Sequence, residues 1–120
     1  MTEHRAPRPP SLSVRARQMA QDAYVIEVDG ELDHHTTGQL DEAIDHALIR
    51  GAAAVLIDLQ PTTFLDSSGL NALLTAHRAA ARAGARLALI APSAAVHRML
   101  SLTGIDRVLP TYPTTEAALP

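Results

Sequence analysis

"AAVLIDLQPTTFLDSSGLNALLTAH", residues Ala53 to His77, decides the fold. Its first seven residues, Ala53 to Leu59, make a nearly unbroken apolar run, the pattern of a strand covered on both faces. Helical spacing takes over at Leu70. Leu70, Leu73, Leu74, His77 and Ala81 share one face of a helix that runs to about Arg82 and stops at Gly84. A buried strand leading into an amphipathic helix is the repeating unit of a parallel α/β sheet.

The flanking sequence continues that alternation. "SLSVRAR" (Ser11 to Arg17) and "AYVIEVDG" (Ala23 to Gly30) alternate apolar and polar residues across a short link, which predicts an antiparallel hairpin. In "TTGQLDEAIDHALIRG", Leu40, Ala43, Ile44, Ala47 and Leu48 fall on one helical face. Thr36 and Gln39 have capping-box spacing, and Gly51 suits a left-handed stop. "RLALIA" (Arg86 to Ala91) is a second buried strand. Ser93 then caps a helix carrying Val96, Met99 and Leu100, which Gly104 ends. "RVLP" (Arg107 to Pro110) reads as the last strand, and "TTEAALP" holds one helical turn. The order β-β-α-β-α-β-α-β predicts a mixed, largely parallel sheet of about five strands, with an antiparallel edge hairpin and right-handed crossover helices.

Composition limits the function. A chain of 120 residues buries roughly two thirds of its unfolded surface and needs no staples. Residues 11–120 read as one domain, and the proline- and charge-rich start, "MTEHRAPRPP", as a disordered tail. Cysteine is absent, so disulfides and thiolate metal sites are excluded. The net charge is −3, every cationic side chain is a scattered arginine, and aromatics are nearly absent. Nothing here resembles a nucleic-acid surface. No apolar run reaches the roughly 18 residues of a membrane span, and the start lacks a signal-peptide core. The expectation is a soluble cytoplasmic protein.

In such sheets, functional groups gather at the carboxyl ends of the parallel strands. The loops there carry Asp29, Glu31, Asp33, His34 and His35, and then Asp66, Ser67 and Ser68. Asp66 or Ser67 can cap the helix that follows. A cap uses one residue and leaves the second serine and Gly69 unexplained. A phosphorylatable hydroxyl explains more. Phosphate at a helix N-terminus meets free amide hydrogens and the positive end of the dipole. It would add about two negative charges to an acidic rim without melting the domain. Gly69, lacking a side chain, would let a partner approach closely. A helical wheel turns Ser68 away from the Leu70 stripe and places Ser67 nearer its edge, which favours Ser68.

Other chemistries fit less well. His34 and His35 are consecutive loop residues that do not converge on one ion, so no metal is expected. Ser67 lacks the Gly-x-Ser-x-Gly elbow of a hydrolase, and no glycine-rich phosphate loop is present. A receiver domain needs a lysine, and the chain has none. His77, on the apolar stripe, reads as a packed, hydrogen-bonded histidine.

The segments "GELDHHT", "LIDLQPTTFLDSSGLNALL" and "LALIAPSAAVHRMLSLTGIDRVLPTYPTTEAAL" together resemble the bacterial anti-sigma factor antagonist family, built on the STAS domain. The resemblance runs from about Val14 to Ala118. It implies a non-enzymatic binding switch without cofactor. In that family the serine directly after the aspartate is phosphorylated by a partner that is both serine kinase and anti-sigma factor, and a serine phosphatase resets it. The matching position is Ser67, which displaces Ser68 as first choice. The loop carrying Glu31, Asp33, His34 and His35 matches the family's partner-facing surface, alongside Asp66, Ser67, Ser68, Gly69 and Asn71. Asn71 stands where many relatives carry a small residue, and the final helix is short for the family. The implied state is a monomer or weak homodimer. The alternative within the same fold is a regulatory STAS subunit of a transporter or stress-signalling complex.

Overall fold

A computed structural model describes residues 11–119. The tail expected over residues 1–10 lies outside the described residues. The elements are β1 (Leu12–Gln18), β2 (Ala23–Leu32), α1 (Thr37–Ile49), β3 (Ala54–Asp58), β4 (Thr62–Leu65), α2 (Ser67–Arg82), β5 (Arg86–Ile90), α3 (Ala94–Thr103), β6 (Thr111–Tyr112) and α4 (Thr115–Ala118). The strands order as β1-β2-β3-β5-β6, and β4 pairs with β2 beyond the end of β3. Only β1 is antiparallel to its neighbour; the other pairings are parallel. The expected mixed sheet with an antiparallel edge hairpin is therefore present.

The apolar run in β3 follows from its central place. Val55 and Ile57 join the larger core beneath the helices, with Ile26, Val28, Leu87 and Leu89. Ala54 and Leu56 point to the opposite face, with Val25, Ala88 and Ile90. Period-two geometry sends alternate residues to opposite faces, so a strand with both faces covered is apolar throughout. The second face is closed by the chain end: Ala118 of α4 is buried there. The Arg86 guanidinium donates to the Ala118 carbonyl oxygen at 2.6 Å. Short as it is, the final helix still covers sheet.

Four local expectations change. First, "PTTFL" is not all loop, because Thr62–Leu65 forms β4 against the end of β2. Only Thr62 and Leu65 are buried in it, so the strand shows no alternation to read. Second, the last strand is Thr111–Tyr112 and not Arg107–Pro110. Gly104, in the left-handed region at φ 78, leads into a 3-10 turn at Ile105–Arg107 that buries Ile105, and pairing with β5 starts later. Third, Thr36 flanks α1 but makes no side-chain cap, so the capping box with Gln39 does not form.

Fourth, the buried stripe of α2 is rotated. The buried residues are Gly69, Leu70, Ala72, Leu73, Ala76 and Ala80. Leu74 and His77 are half-buried, and Ala81 is exposed. The shift is about a quarter turn at 3.6 residues per turn. Its cause is a second neighbour: α2 packs against α1 as well as against the sheet, so its buried face is widened to one side.

Candidate functional site

The site grows from the end of β2. Gly30 has φ 117, and a side chain there would strike the Ser11 carbonyl, so only glycine fits. The pairing register shifts between Gly30 and Glu31, and β2 changes partner from β3 to β4. Glu31 then lies opposite Phe64, and Leu32 opposite Leu65. This switch brings the Asp33 loop and the start of α2 to one edge of the sheet.

The loop is closed by its own polar groups. The Thr36 hydroxyl accepts the Asp33 amide at 2.9 Å and donates to the Glu31 carbonyl at 2.8 Å. The Asp33 carboxylate accepts the His35 amide at 2.9 Å. Desolvation works against the charge on Asp33, but the His35 amide and the Thr36 hydroxyl outweigh it, and the pKa is lowered. His34 and His35 are exposed, with ring centroids 3.8 Å apart.

At the start of α2, Asp66 has extended backbone, and its carboxylate accepts the Gly69 amide at 2.9 Å. Of the two caps the sequence offers, Asp66 and Ser67, the aspartate is the one that forms. Gly69 has a different reason from the one expected. It is buried, and a β-carbon there would lie 2.5 Å from the Leu32 carbonyl oxygen and 2.7 Å from Leu65 Cδ1. The glycine lets α2 close onto the chain's own β2 and β4.

With the stripe rotated, the serine argument reverses. Ser67 points about 150° from the centre of the buried face and Ser68 about 110°, at 100° per residue. Accordingly Ser67 is exposed and Ser68 half-buried. The two serines open onto different grooves. Ser68 shares a polar groove of about 250 Å³ between α1 and α2 with His34, Thr37, Asp41 and Asn71. Asp41 has a raised pKa, from desolvation and then from repulsion by Asp45. Ser67 and Asp66 border an apolar groove of about 440 Å³ between β4 and α3, lined by Phe64, Ala95, Val96 and Met99. Phe64 is 49% exposed.

Of the residues singled out from sequence, the structure groups His34, Ser68 and Asn71 in one groove and Asp66 with Ser67 in the other. Glu31 lies opposite Phe64 in the β2–β4 pairing and lines neither groove, while Asp33 serves the loop's internal bonding. His35 lines neither groove. The apolar groove was not foreseen. Its one signal is the only phenylalanine of the chain, two residues before the capping aspartate. Among the described residues, no cluster of three or more His, Cys, Asp or Glu side chains could hold a metal ion. No helix described is long and apolar enough to cross a membrane.

Residues 15–118 match the STAS domain family model. The chain belongs to the STAS-domain family. This STAS domain is 32% identical over 99 residues to the anti-sigma F factor antagonist of Paenibacillus polymyxa, covering 79% of this chain and 82% of that protein. The crystal structure of an anti-sigma factor antagonist from Mycobacterium paratuberculosis superposes with a TM-score of 0.81 at 29% identity, covering 94% of this chain and 95% of that one. The Bacillus cell fate determinant SpoIIAA in its phosphorylated form superposes with a TM-score of 0.68 at 25% identity, covering 88% and 96%.

Proposed function

We propose that this STAS domain is an anti-sigma factor antagonist, a cytoplasmic, non-enzymatic binding module switched by phosphorylation of Ser67. Its partner is an anti-sigma factor with serine kinase activity, and a serine phosphatase resets it. The observation that carries the reading is the position of Ser67: exposed, at the amino end of α2, one residue after the capping Asp66 and on the lip of an apolar groove. The names of the matched relatives and the phosphorylated Bacillus neighbour support it.

Electrostatics gives the proposed switch its sign. The unmodified surface offers a small hydroxyl, an exposed Phe64 and the polar rim of Glu31, Asp33, His34, His35, Ser68 and Asn71. Phosphate at Ser67 sits over free helix-end amides, so the fold tolerates it. A partner covering the groove must then desolvate about two negative charges beside Asp66. A loss of about 4 kcal/mol is about a thousandfold in affinity. Docking fails without any refolding.

The test uses the full chain with an anti-sigma factor kinase of the same genome and ATP. Mass spectrometry is expected to place one phosphate on Ser67. Ser67→Ala keeps binding and blocks phosphate uptake, and Ser67→Asp weakens binding. Phosphate on another residue, or Ser67→Asp binding as tightly as the unmodified chain, would overturn the reading.

A further inference from the structure

We propose that Thr36 is a positioning residue for partner binding: its buried hydroxyl sets the conformation of the Asp33–His35 loop. The proposal rests on the reading of that loop as partner-facing, and it adds what holds the loop in its binding shape.

Thr36 is 3% exposed and, with Thr62, makes up the buried polar residues among those described. Its hydroxyl has turned away from the helix it would be expected to cap. It reaches back to the end of β2 and the loop that follows, and takes one group from each, the Glu31 carbonyl and the Asp33 amide. One hydroxyl both donates and accepts: its proton is shared between the Glu31 carbonyl at 2.8 Å and, at 3.3 Å, the Asp33 carbonyl and carboxylate, while a lone pair takes the Asp33 amide. The backbone adds a second layer: the Thr36 and Thr37 amides donate to the Asp33 carbonyl at 3.1 and 3.0 Å. Asp33 in turn is free to hold the His35 amide. The chain thus folds back on itself between Glu31 and Thr36, which carries His34 to the groove it shares with Ser68 and Asn71.

Threonine and valine have the same shape. Thr36→Val leaves the packing volume intact and takes from the Glu31 carbonyl and the Asp33 amide the partner they hold in a part-buried position. Unmade bonds of this kind favour conformations in which both groups reach solvent. The loop would open to do so, and the partner would have to close it again. Binding then costs the population of the closed form.

Four full-length chains make the test: wild type, Thr36→Val, Thr36→Ser, and Ile57→Val as a core control of modest destabilisation. Affinity for the anti-sigma factor kinase is measured by calorimetry well below every melting temperature. Thr36→Val is expected to bind about tenfold more weakly, a difference of about 1.4 kcal/mol. Thr36→Ser is expected to restore most of that affinity, and Ile57→Val to leave it unchanged. Phosphorylation of Ser67 in Thr36→Val should show a raised KM with unchanged kcat. In the free proteins, amide hydrogen exchange at Asp33 and His35 should quicken in Thr36→Val alone. Wild-type affinity in Thr36→Val, or an equal loss in Ile57→Val, overturns the proposal while leaving the phosphorylation reading intact. Failure of the wild-type chain to bind the kinase removes the reading of the surface and the proposal with it, whatever the exchange rates.

Discussion

The same substitution at two glycines should move stability in opposite directions. In a helix, Gly→Ala ordinarily gains up to about 1 kcal/mol, because alanine loses less backbone entropy. Gly38, in the first turn of α1, has no atom within 4 Å of an added β-carbon. Gly38→Ala should therefore stabilise by about 0.5 to 1 kcal/mol. At Gly69 the added carbon meets the Leu32 carbonyl oxygen at 2.5 Å and Leu65 Cδ1 at 2.7 Å. The leucine methyl can yield, but the oxygen belongs to the backbone of β2 and cannot swing away. Overpacking of this kind costs about 1 to 3 kcal/mol. A 2.5 Å approach to a backbone oxygen belongs in the upper part of that range, about 2 to 3 kcal/mol; less a propensity gain of up to about 1 kcal/mol, Gly69→Ala should destabilise by about 1 to 2 kcal/mol. Urea unfolding at fixed pH, compared through midpoints with unchanged slope, measures both. A Gly69→Ala protein as stable as the parent would refute the argument that glycine serves internal packing. It would return Gly69 to the role first expected, close approach by a partner.

Asp66→Ala should lose about 1 kcal/mol of stability, since the Gly69 amide would lose its acceptor; thermal melting of the unphosphorylated chain is the check. Asp33 has a lowered pKa in the folded chain, so its ionised form stabilises the fold above the unfolded value near 4. That contribution is lost as pH falls through the lowered folded value. The stability gap between wild type and Asp33→Asn should therefore be open at neutral pH and close in acid; a gap that does not vary with pH would contradict it.

Much of the fold is readable in the residues. Val55, Leu56 and Ile57 in unbroken series announce a strand with two covered faces, and the alternation in β1 and β2 announces a half-covered hairpin. What was not readable has physical causes. β4 is four residues long and follows a proline, so its pairing with Glu31 and Leu32 leaves no local pattern. The α2 stripe was misplaced because alanines carry little weight beside leucines, yet Ala72, Ala76 and Ala80 are all buried. That error also tilted the choice of serine. The resemblance favoured Ser67 instead, and Ser67 is the more exposed of the two side chains. Thr36 and Gln39 fit a capping box by spacing alone, but the buried end of β2 competed for the hydroxyl and won. Phe64 and Met99 lie far apart along the chain, so their shared groove exists only once α3 rests on β4.

The close fit of Gly69 against Leu32 separates architecture from the proposed signalling within four consecutive letters. Aspartate and glycine build the corner, whereas the hydroxyl beside them is dispensable to folding. Under the proposed function, discarding the serine while retaining the corner would yield an antagonist deaf to its kinase. Surveys of related genomes should treat Asp-x-x-Gly as a mark of the scaffold and the intervening serine as a separate, removable instruction.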